Sequence, residues 1–141
     1  MKDKSTDILR QELMDSVDIN DFLNNNEEHF YQDSVAQLIN QIFLKKNMSK
    51  AQLAKQSGIS EIYLHRIFSG LRKPSRDRLI CLCFGLSATL DEAQELLTHC
   101  GYARLHPKIR RDAIILYGLL HGSNLFEINH QLFDADEEPL C

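Results

Sequence analysis

The chain has 141 residues, of which 43% are apolar and 26% charged, and its formal net charge is −4. This length predicts one domain that buries roughly two-thirds of its unfolded surface, and it excludes two substantial domains. The longest apolar run, Leu79 to Leu86, is far shorter than the ~20 residues that a membrane span needs. Residues 1–7 lack the apolar stretch of a secretory signal. We therefore expect a cytoplasmic protein with no membrane partner.

The charge is distributed unevenly along the chain. Residues 1–33 carry three basic and nine acidic side chains (net −6), and residues 34–80 carry nine and two (net +7). Residues 81–111 carry four and three (net +1), and residues 112–141 carry none and six (net −6). A concentration of cations in one segment is the pattern that contact with nucleic-acid phosphates requires. The alternative is that these charges lie on solvated helix faces.

Apolar residues recur at helical spacing through most of the chain, and period-two alternation is never sustained, so an all-α fold is predicted. The first part, residues 1–33, is an acidic segment that is too apolar for a solvated tail; its apolar residues include Ile8, Leu9, Leu13, Phe22 and Leu23. One or two short helices are expected, with a break at Asn24–Asn26. The acidic charge would cover the basic face of the same or another subunit, or recruit a protein partner; the alternative is a packed arm with an ordinary solvated face.

The second part, residues 34–101, is predicted to contain five helices. Ser34 and Gln37 form a capping box for the first, whose apolar stripe comprises Val35, Leu38, Ile39, Ile42 and Phe43. Ser75 is expected to cap the fourth helix, which runs to about Leu86. The fifth helix begins at a capping box of Thr89 with Glu92 and ends at Gly101. The inward residues of these two helices are predicted to be Leu79, Ile80, Cys83, Phe84, Ala93, Leu96, Leu97 and Cys100.

The second and third helices have the punctuation of a helix-turn-helix. Ser49 and Gln52 form a capping box, and Gly58 can take the left-handed conformation that ends a helix. Ile59 is expected to fill the corner and Ser60 to cap the next helix. In that helix the inward residues are predicted to be Leu64, Ile67 and Phe68, which leaves Glu61, Ile62, His65, Arg66 and Ser69 on the outer face.

The third part, residues 102–141, is predicted to be a helical hairpin with an acidic tail. Its first helix is expected to start at His106–Pro107 and to end at Gly122, and Asn124 with Glu127 would cap the second. The expected buried stripes are Ile109, Ala113, Leu116, Tyr117 and Leu120 in the first helix, and Leu125, Ile128 and Leu132 in the second. The hairpin either extends the core or makes a dimer contact, and the sequence leaves both open.

Four strings in this chain resemble the lambda-repressor-like (Xre) family of helix-turn-helix proteins. They are Ser49 to Ala54, Gly58-Ile59-Ser60, Ile67 to Gly70 and Lys73-Pro74-Ser75. The resemblance covers about residues 34–100 and implies a five-helix DNA-binding domain that regulates transcription by occupying an operator, often as a homodimer. The chain departs from the family at Glu61 to Tyr63, where amide and hydroxyl side chains are often used to contact bases.

In a helix-turn-helix the second helix enters the major groove of DNA. Lys50 is therefore expected to contact a phosphate, and Arg66 to bond guanine. Ile62 would contact a thymine methyl group and Glu61 a cytosine amino group. The full set predicted to face double-stranded DNA is Lys50, Ser60, Glu61, Ile62, Tyr63, His65, Arg66, Ser69, Arg72 and Lys73. The competing hypothesis is a protein-binding adaptor that uses the same face and has no DNA target.

No catalytic, cofactor or metal site is predicted. Cys81, Cys83, Cys100 and Cys141 lack the paired spacing of a zinc module and are expected to be buried thiols that act as small hydrophobes. The six histidines are scattered and form no recognisable arrangement with a nucleophile and an acid, and a glycine-rich phosphate loop is missing from the sequence. We expect a regulator and not an enzyme.

Overall fold

The computed structural model describes residues 4–27 and 34–141. Within those ranges all regular structure is helical and comprises nine helices, so the predicted all-α class is confirmed. The chain divides into two compact units, Met1–Gln32 and Asp33–Cys141. The finer division at residue 101 stays a prediction.

The first unit contains α1 (Thr6–Asp15) and α2 (Ile19–Asn26). Two short helices were among the expectations, but the predicted break at Asn24–Asn26 is wrong, because these three residues form the last turn of α2. Ser5 and Asp18 cap the two helices by accepting backbone N–H bonds.

A buried polar contact explains why α2 continues through its asparagines. The side-chain amide of Asn26 is buried and donates to the Glu12 carboxylate and to the Phe22 carbonyl, each at 3.0 Å. Its oxygen accepts from the Lys4 ammonium at 2.7 Å. Asn26 thereby gains partners from α1 and from Lys4 ahead of it, which a sequence pattern within α2 does not display.

The second unit begins with five helices, as predicted for residues 34–101. They are α3 (Val35–Lys45), α4 (Lys50–Ser57), α5 (Glu61–Phe68), α6 (Arg76–Gly85) and α7 (Leu90–His99). Each is capped by the predicted Ser or Thr, and the capping boxes of α3 and α7 are complete. The box predicted for α4 is only half formed in the described structure: Ser49 Oγ accepts the Gln52 N–H at 3.1 Å, without a return bond from the Gln52 side chain.

Helix α6 is the centre of the second unit. Every residue from 79 to 86 is buried, because α4, α7 and α9 all pack against this helix. A helix that is apolar on all sides is one that neighbours surround. The predicted inward set of α6 was therefore correct but incomplete.

The hairpin consists of α8 (Arg110–His121) and α9 (Leu125–Asp134). The predicted start of α8 at His106–Pro107 is wrong, because His106 and Ile109 close a turn ahead of the helix through a backbone bond of 3.0 Å. The predicted stop at Gly122 and the capping box of α9 are confirmed.

The predicted buried stripe of α8 is also wrong. Ile109, Tyr117 and Leu120 are 52–64% exposed, and Ala113 and Leu116 are half-buried. The residues that α8 buries are Asp112, Ile115 and Gly118. The exposed face instead borders an apolar groove of about 490 Å³ beside α7.

Two ion pairs attach α8 to α6. The Arg76 guanidinium lies 3.2 Å from the buried Asp112 carboxylate, and Arg111 lies 2.9 Å from Asp77. Asp112 also accepts the His106 N–H at 3.0 Å. These pairs and the buried Ile115 make the hairpin an extension of the core, while the dimer contact stays a prediction.

No helix in the described ranges is long and apolar enough to span a bilayer.

Candidate nucleic-acid interface

The turn between α4 and α5 has the geometry predicted from its residues. Gly58 has φ = +66°, a left-handed conformation that a residue without Cβ adopts at no steric cost. The Ala54 carbonyl accepts the Ile59 N–H at 3.2 Å, and the Ile59 side chain is buried in the corner. Ser60 Oγ accepts the Tyr63 N–H at 3.2 Å and so begins α5. This turn fixes the angle between the two helices.

Helix α5 has the predicted inner and outer faces. Leu64, Ile67 and Phe68 are buried, and the side chains predicted to face outward are exposed: Glu61, Ile62, His65, Arg66 and Ser69. Sequence reasoning missed Asn40 of α3, whose side-chain amide donates to the Phe68 carbonyl at 3.2 Å. Asn40 thus anchors the last turn of α5 to the scaffold helix. The only signal of this role was the position of Asn40 on the half-buried flank of α3.

Arg66 and Ile62 lie one turn apart on this outer face. The Arg66 guanidinium has no ion pair or hydrogen bond to any residue in the described ranges, and Ile62 is 71% exposed. Ser69, in contrast, donates its hydroxyl hydrogen to the Arg66 carbonyl at 3.1 Å. Arg66 therefore has its five donor hydrogens available for a ligand.

Tyr63 is the predicted contact residue that the fold covers most. Its side chain is half-buried against the core, and the Arg78 guanidinium lies 4.4 Å from the ring centroid. This cation–π contact places an exposed arginine from the first turn of α6 beside α5. Sequence reasoning missed Arg78 because the contact joins two different helices.

Lys50 is exposed in the first turn of α4, where the helix dipole favours anions. Its ammonium group lies 5.1 Å from the centroid of the Phe68 ring, which packs edge-on against Phe43. This contact limits where the lysine points without neutralising its charge.

Arg72 and Lys73 lie in the segment that joins α5 to α6. The Lys73 ammonium is 4.8 Å from the Tyr102 ring centroid, and the Tyr102 hydroxyl donates to the Pro74 carbonyl at 2.6 Å. Tyr102 thus holds this segment in place from beyond α7, another contribution that the sequence did not reveal. Both cations border a pocket of about 220 Å³ beside the first turn of α3.

The ion pairs of the second unit determine which charges remain available. Of the two acidic residues between positions 34 and 80, Asp77 is occupied by Arg111, whereas Glu61 is exposed. Arg76 is likewise occupied by Asp112. The exposed cations without an ion pair in the described structure include Lys50, Arg66, Arg72 and Lys73. The excess of positive charge on this segment therefore survives folding.

The cysteines correspond in part to the prediction. Cys81, Cys83 and Cys100 are buried, but Cys141 is exposed, so the expectation of a buried thiol is wrong there. Burial raises the pKa of both Cys81 and Cys83 to about 12. Residues 4–27 and 34–141 contain no group of three or more His, Cys, Asp or Glu side chains that could hold a metal ion.

Residues 39–83, from the second turn of α3 to the last turns of α6, match the family model described as Helix-turn-helix. The match covers less than half of the chain, and the matched segment is similar to helix-turn-helix domains of the lambda-repressor-like type. The match points to a DNA-binding helix-turn-helix regulator. Comparison with curated proteins and with solved structures found no match.

Proposed function

We propose that the protein regulates transcription by binding a specific double-stranded DNA sequence, its operator, through the outer face of α5. The observation that carries this proposal is the exposed Arg66–Ile62 face on a helix whose opposite face is buried. An α-helix presented in this way fits the major groove.

The proposed roles follow from the position of each side chain. Arg66 bonds the two major-groove acceptors of a guanine, and Ile62 packs on a thymine methyl group. Lys50, Arg72 and Lys73 contact phosphates and set the register of the protein on the duplex. Ser60, Glu61, Tyr63, His65 and Ser69 complete the proposed contact surface.

The test begins by selecting a preferred duplex from a random pool and titrating it with the purified protein by fluorescence anisotropy. Arg66→Ala should weaken binding to the selected duplex about tenfold or more and reduce its preference over a scrambled one. Lys50→Ala should weaken binding to both duplexes to a similar extent. It should also lower the magnitude of the slope of log affinity against log salt concentration by about one.

Lys108→Ala is the matched control, because it removes one exposed cation from the turn before α8, outside the helix-turn-helix. Its affinity should stay close to that of the unmodified protein. If Arg66→Ala and Lys108→Ala bind the selected duplex with the same affinity, the assignment of Arg66 as the base contact is wrong.

One observation favours the protein-binding alternative. Ile62 is 71% exposed, and Leu71, three residues beyond the end of α5, is 76% exposed. Both could pack against an apolar partner. Salt separates the two functions, because DNA affinity falls steeply with salt while an apolar protein contact does not. If no duplex in the pool binds the protein in a salt-dependent way, the adaptor function is favoured.

Two further expectations are proposals of the same kind. A homodimer would place two copies of α5 in successive major grooves, one helical turn apart. The acidic residues 1–33 would supply a surface for a protein partner. Sedimentation of the protein, alone and bound to a selected duplex, would measure whether it forms a homodimer. Pull-down with an isolated basic partner would test whether the acidic segment binds protein.

A further inference from the structure

The thiol of Cys141 lies against the turn of the helix-turn-helix. Its Sγ accepts a hydrogen bond from the Asn129 side-chain amide at 3.2 Å. A Cβ atom built on Gly58 would lie 3.6 Å from the same sulfur. Cys141 is nevertheless exposed, so solvent and small reagents reach it.

The segment that ends in Cys141 is held tightly to the second unit. Leu140 is buried, and its N–H donates to the Asn129 side-chain oxygen at 2.7 Å. The Arg111 guanidinium donates to the carbonyls of Glu138 and Pro139 at 2.9 and 3.3 Å. These bonds fix where the thiol of Cys141 lies.

Cys81 of α6 lies directly beneath this segment. Its Sγ donates to the Leu140 carbonyl oxygen at 3.9 Å, and Leu140 directly precedes Cys141 in the chain. One thiol is therefore buried and the other exposed, and Cys81 contacts the residue that precedes Cys141. Both are free thiols in this structure.

We propose that Cys81 and Cys141 are an oxidation site that forms a disulfide on reaction with a peroxide. The Cys141 sulfur attacks one peroxide oxygen, the O–O bond breaks, and Cys141 becomes a sulfenic acid with release of one water from hydrogen peroxide. The Cys81 sulfur then displaces the sulfenic oxygen, which leaves with the Cys81 proton as a second water. The two thiols lose two electrons in total, and the peroxide gains them.

The surroundings of the four cysteines make this reaction selective. Burial, followed by the neighbouring Cys141, raises the pKa of Cys81 to about 12, so Cys81 is not the sulfur that reacts first. Cys83 and Cys100 are buried, and burial raises the pKa of each. Exposed thiols react with oxidants faster than buried ones. Cys141 is therefore the point of entry and Cys81 the resolving thiol.

The disulfide would join the C-terminal segment covalently to α6, next to the turn at Gly58. It closes a long loop, from residue 81 to residue 141, and cross-links of long loops restrict the unfolded chain strongly. The expected consequence is a higher thermal midpoint for the oxidised protein. This inference does not depend on DNA binding.

The experiment treats the full chain with hydrogen peroxide and maps its peptides by mass spectrometry. The expected product has lost two hydrogen atoms, contains a peptide that links Cys81 to Cys141, and titrates with two thiols after unfolding where the untreated protein titrates with four. Its thermal midpoint should rise by several degrees and return after reduction.

Cys141→Ser is the main variant, since an exposed position tolerates it, and it should abolish the linked peptide and the rise in midpoint. Cys100→Ala is the matched control, which should retain both. A linked peptide of Cys83 with Cys100, oxidation of Cys141 to sulfinic acid without a link, or a disulfide between two chains would each overturn the proposal.

Discussion

At the scale of single residues, the buried carboxylate of Asp112 helps to fix how the hairpin packs against α6. It is 2% exposed and receives bonds from the Arg76 guanidinium and from the His106 N–H. A buried charge is tolerated only when such partners compensate for its lost hydration. This is why a polar residue occupies the inner face of α8 while Tyr117 and Leu120 face outward.

Asp112→Ala should therefore lower the free energy of unfolding by about 3 kcal/mol, because it leaves Arg76 half-buried without its carboxylate partner. The measurement is urea denaturation followed by circular dichroism. Asp77→Ala, which breaks the more exposed pair with Arg111, should cost only about 1 kcal/mol or less. Equal losses for the two variants would show that burial does not determine the strength of these pairs.

At the scale of elements, the end of α3 and the start of α7 are joined by charge. The Glu92 carboxylate lies 3.2 Å from each of the Lys45 and Lys46 ammonium groups and also accepts the Thr89 N–H. Burial by itself would raise the pKa of Glu92. The Thr89 bond and the two lysines outweigh it and lower the pKa from 4.5 to about 2.

A pKa lowered by folding stabilises the protein above the unfolded value and ceases to do so as the pH falls through the folded value. Glu92→Gln should thus cost about 2 kcal/mol at pH 6, and the difference from the unmodified protein should shrink as the pH falls and be largely lost at about pH 1, below the folded pKa. Glutamine keeps an oxygen for the Thr89 bond, so the variant isolates the charge. Urea denaturation at both pH values is the measurement, and a pH-independent difference would contradict the assignment.

The crossing of α4 over α6 depends on the absence of a side chain at Gly85. A Cβ there would lie 2.8 Å from the Ser57 Cβ and 3.0 Å from the Ser57 backbone nitrogen. A backbone atom cannot yield as the end of a side chain can. Because α4 carries the turn of the helix-turn-helix, this close approach also positions α5.

Gly85→Ala should destabilise the protein by about 1–3 kcal/mol, since overpacking outweighs the better helix propensity of alanine. Gln56→Ala, at an exposed position of α4, is the control and should change stability by less than about 0.5 kcal/mol. Thermal unfolding measures both. A gain in stability for Gly85→Ala would mean that the two helices separate without cost.

At the scale of the whole molecule, charge is segregated along the chain. Residues 1–33 carry a net charge of −6, and the remaining residues together carry +2. An acidic segment lowers the attraction of the chain for DNA through the long-range field alone, whatever its contacts. The proposed DNA binding must therefore overcome the repulsion between this acidic segment and the phosphates.

Removal of residues 1–33 should raise affinity for any duplex by about threefold or more at low salt, and the gain should shrink at higher salt as screening increases. Anisotropy titrations at two salt concentrations provide the measurement. Replacing the acidic residues of the segment by their amides removes the charge but keeps the chain, and it is therefore the control. This variant should show the same rise in affinity. Weaker binding after removal would instead assign DNA contacts to the segment.

Local signals in the sequence determined most of the helices and the helix-turn-helix itself. The Ser and Thr caps and Gly58 act through bonds between residues three to five positions apart, so the sequence displays both partners together. The outer face of α5 followed from the same short spacing. The family resemblance carried by the strings between Ser49 and Ser75 was visible for the same reason.

Tertiary structure decided which face of α8 is buried, the continuation of α2 through Asn26, and the contact of Cys81 with the segment that ends in Cys141. In α8 apolar residues occur on nearly all sides, so periodicity does not select one. The selection comes from Arg76, 36 positions away, and Cys81 lies 59 positions from the carbonyl that it contacts. Partners at such separations meet only because the chain folds back on itself, and no local pattern specifies where that happens.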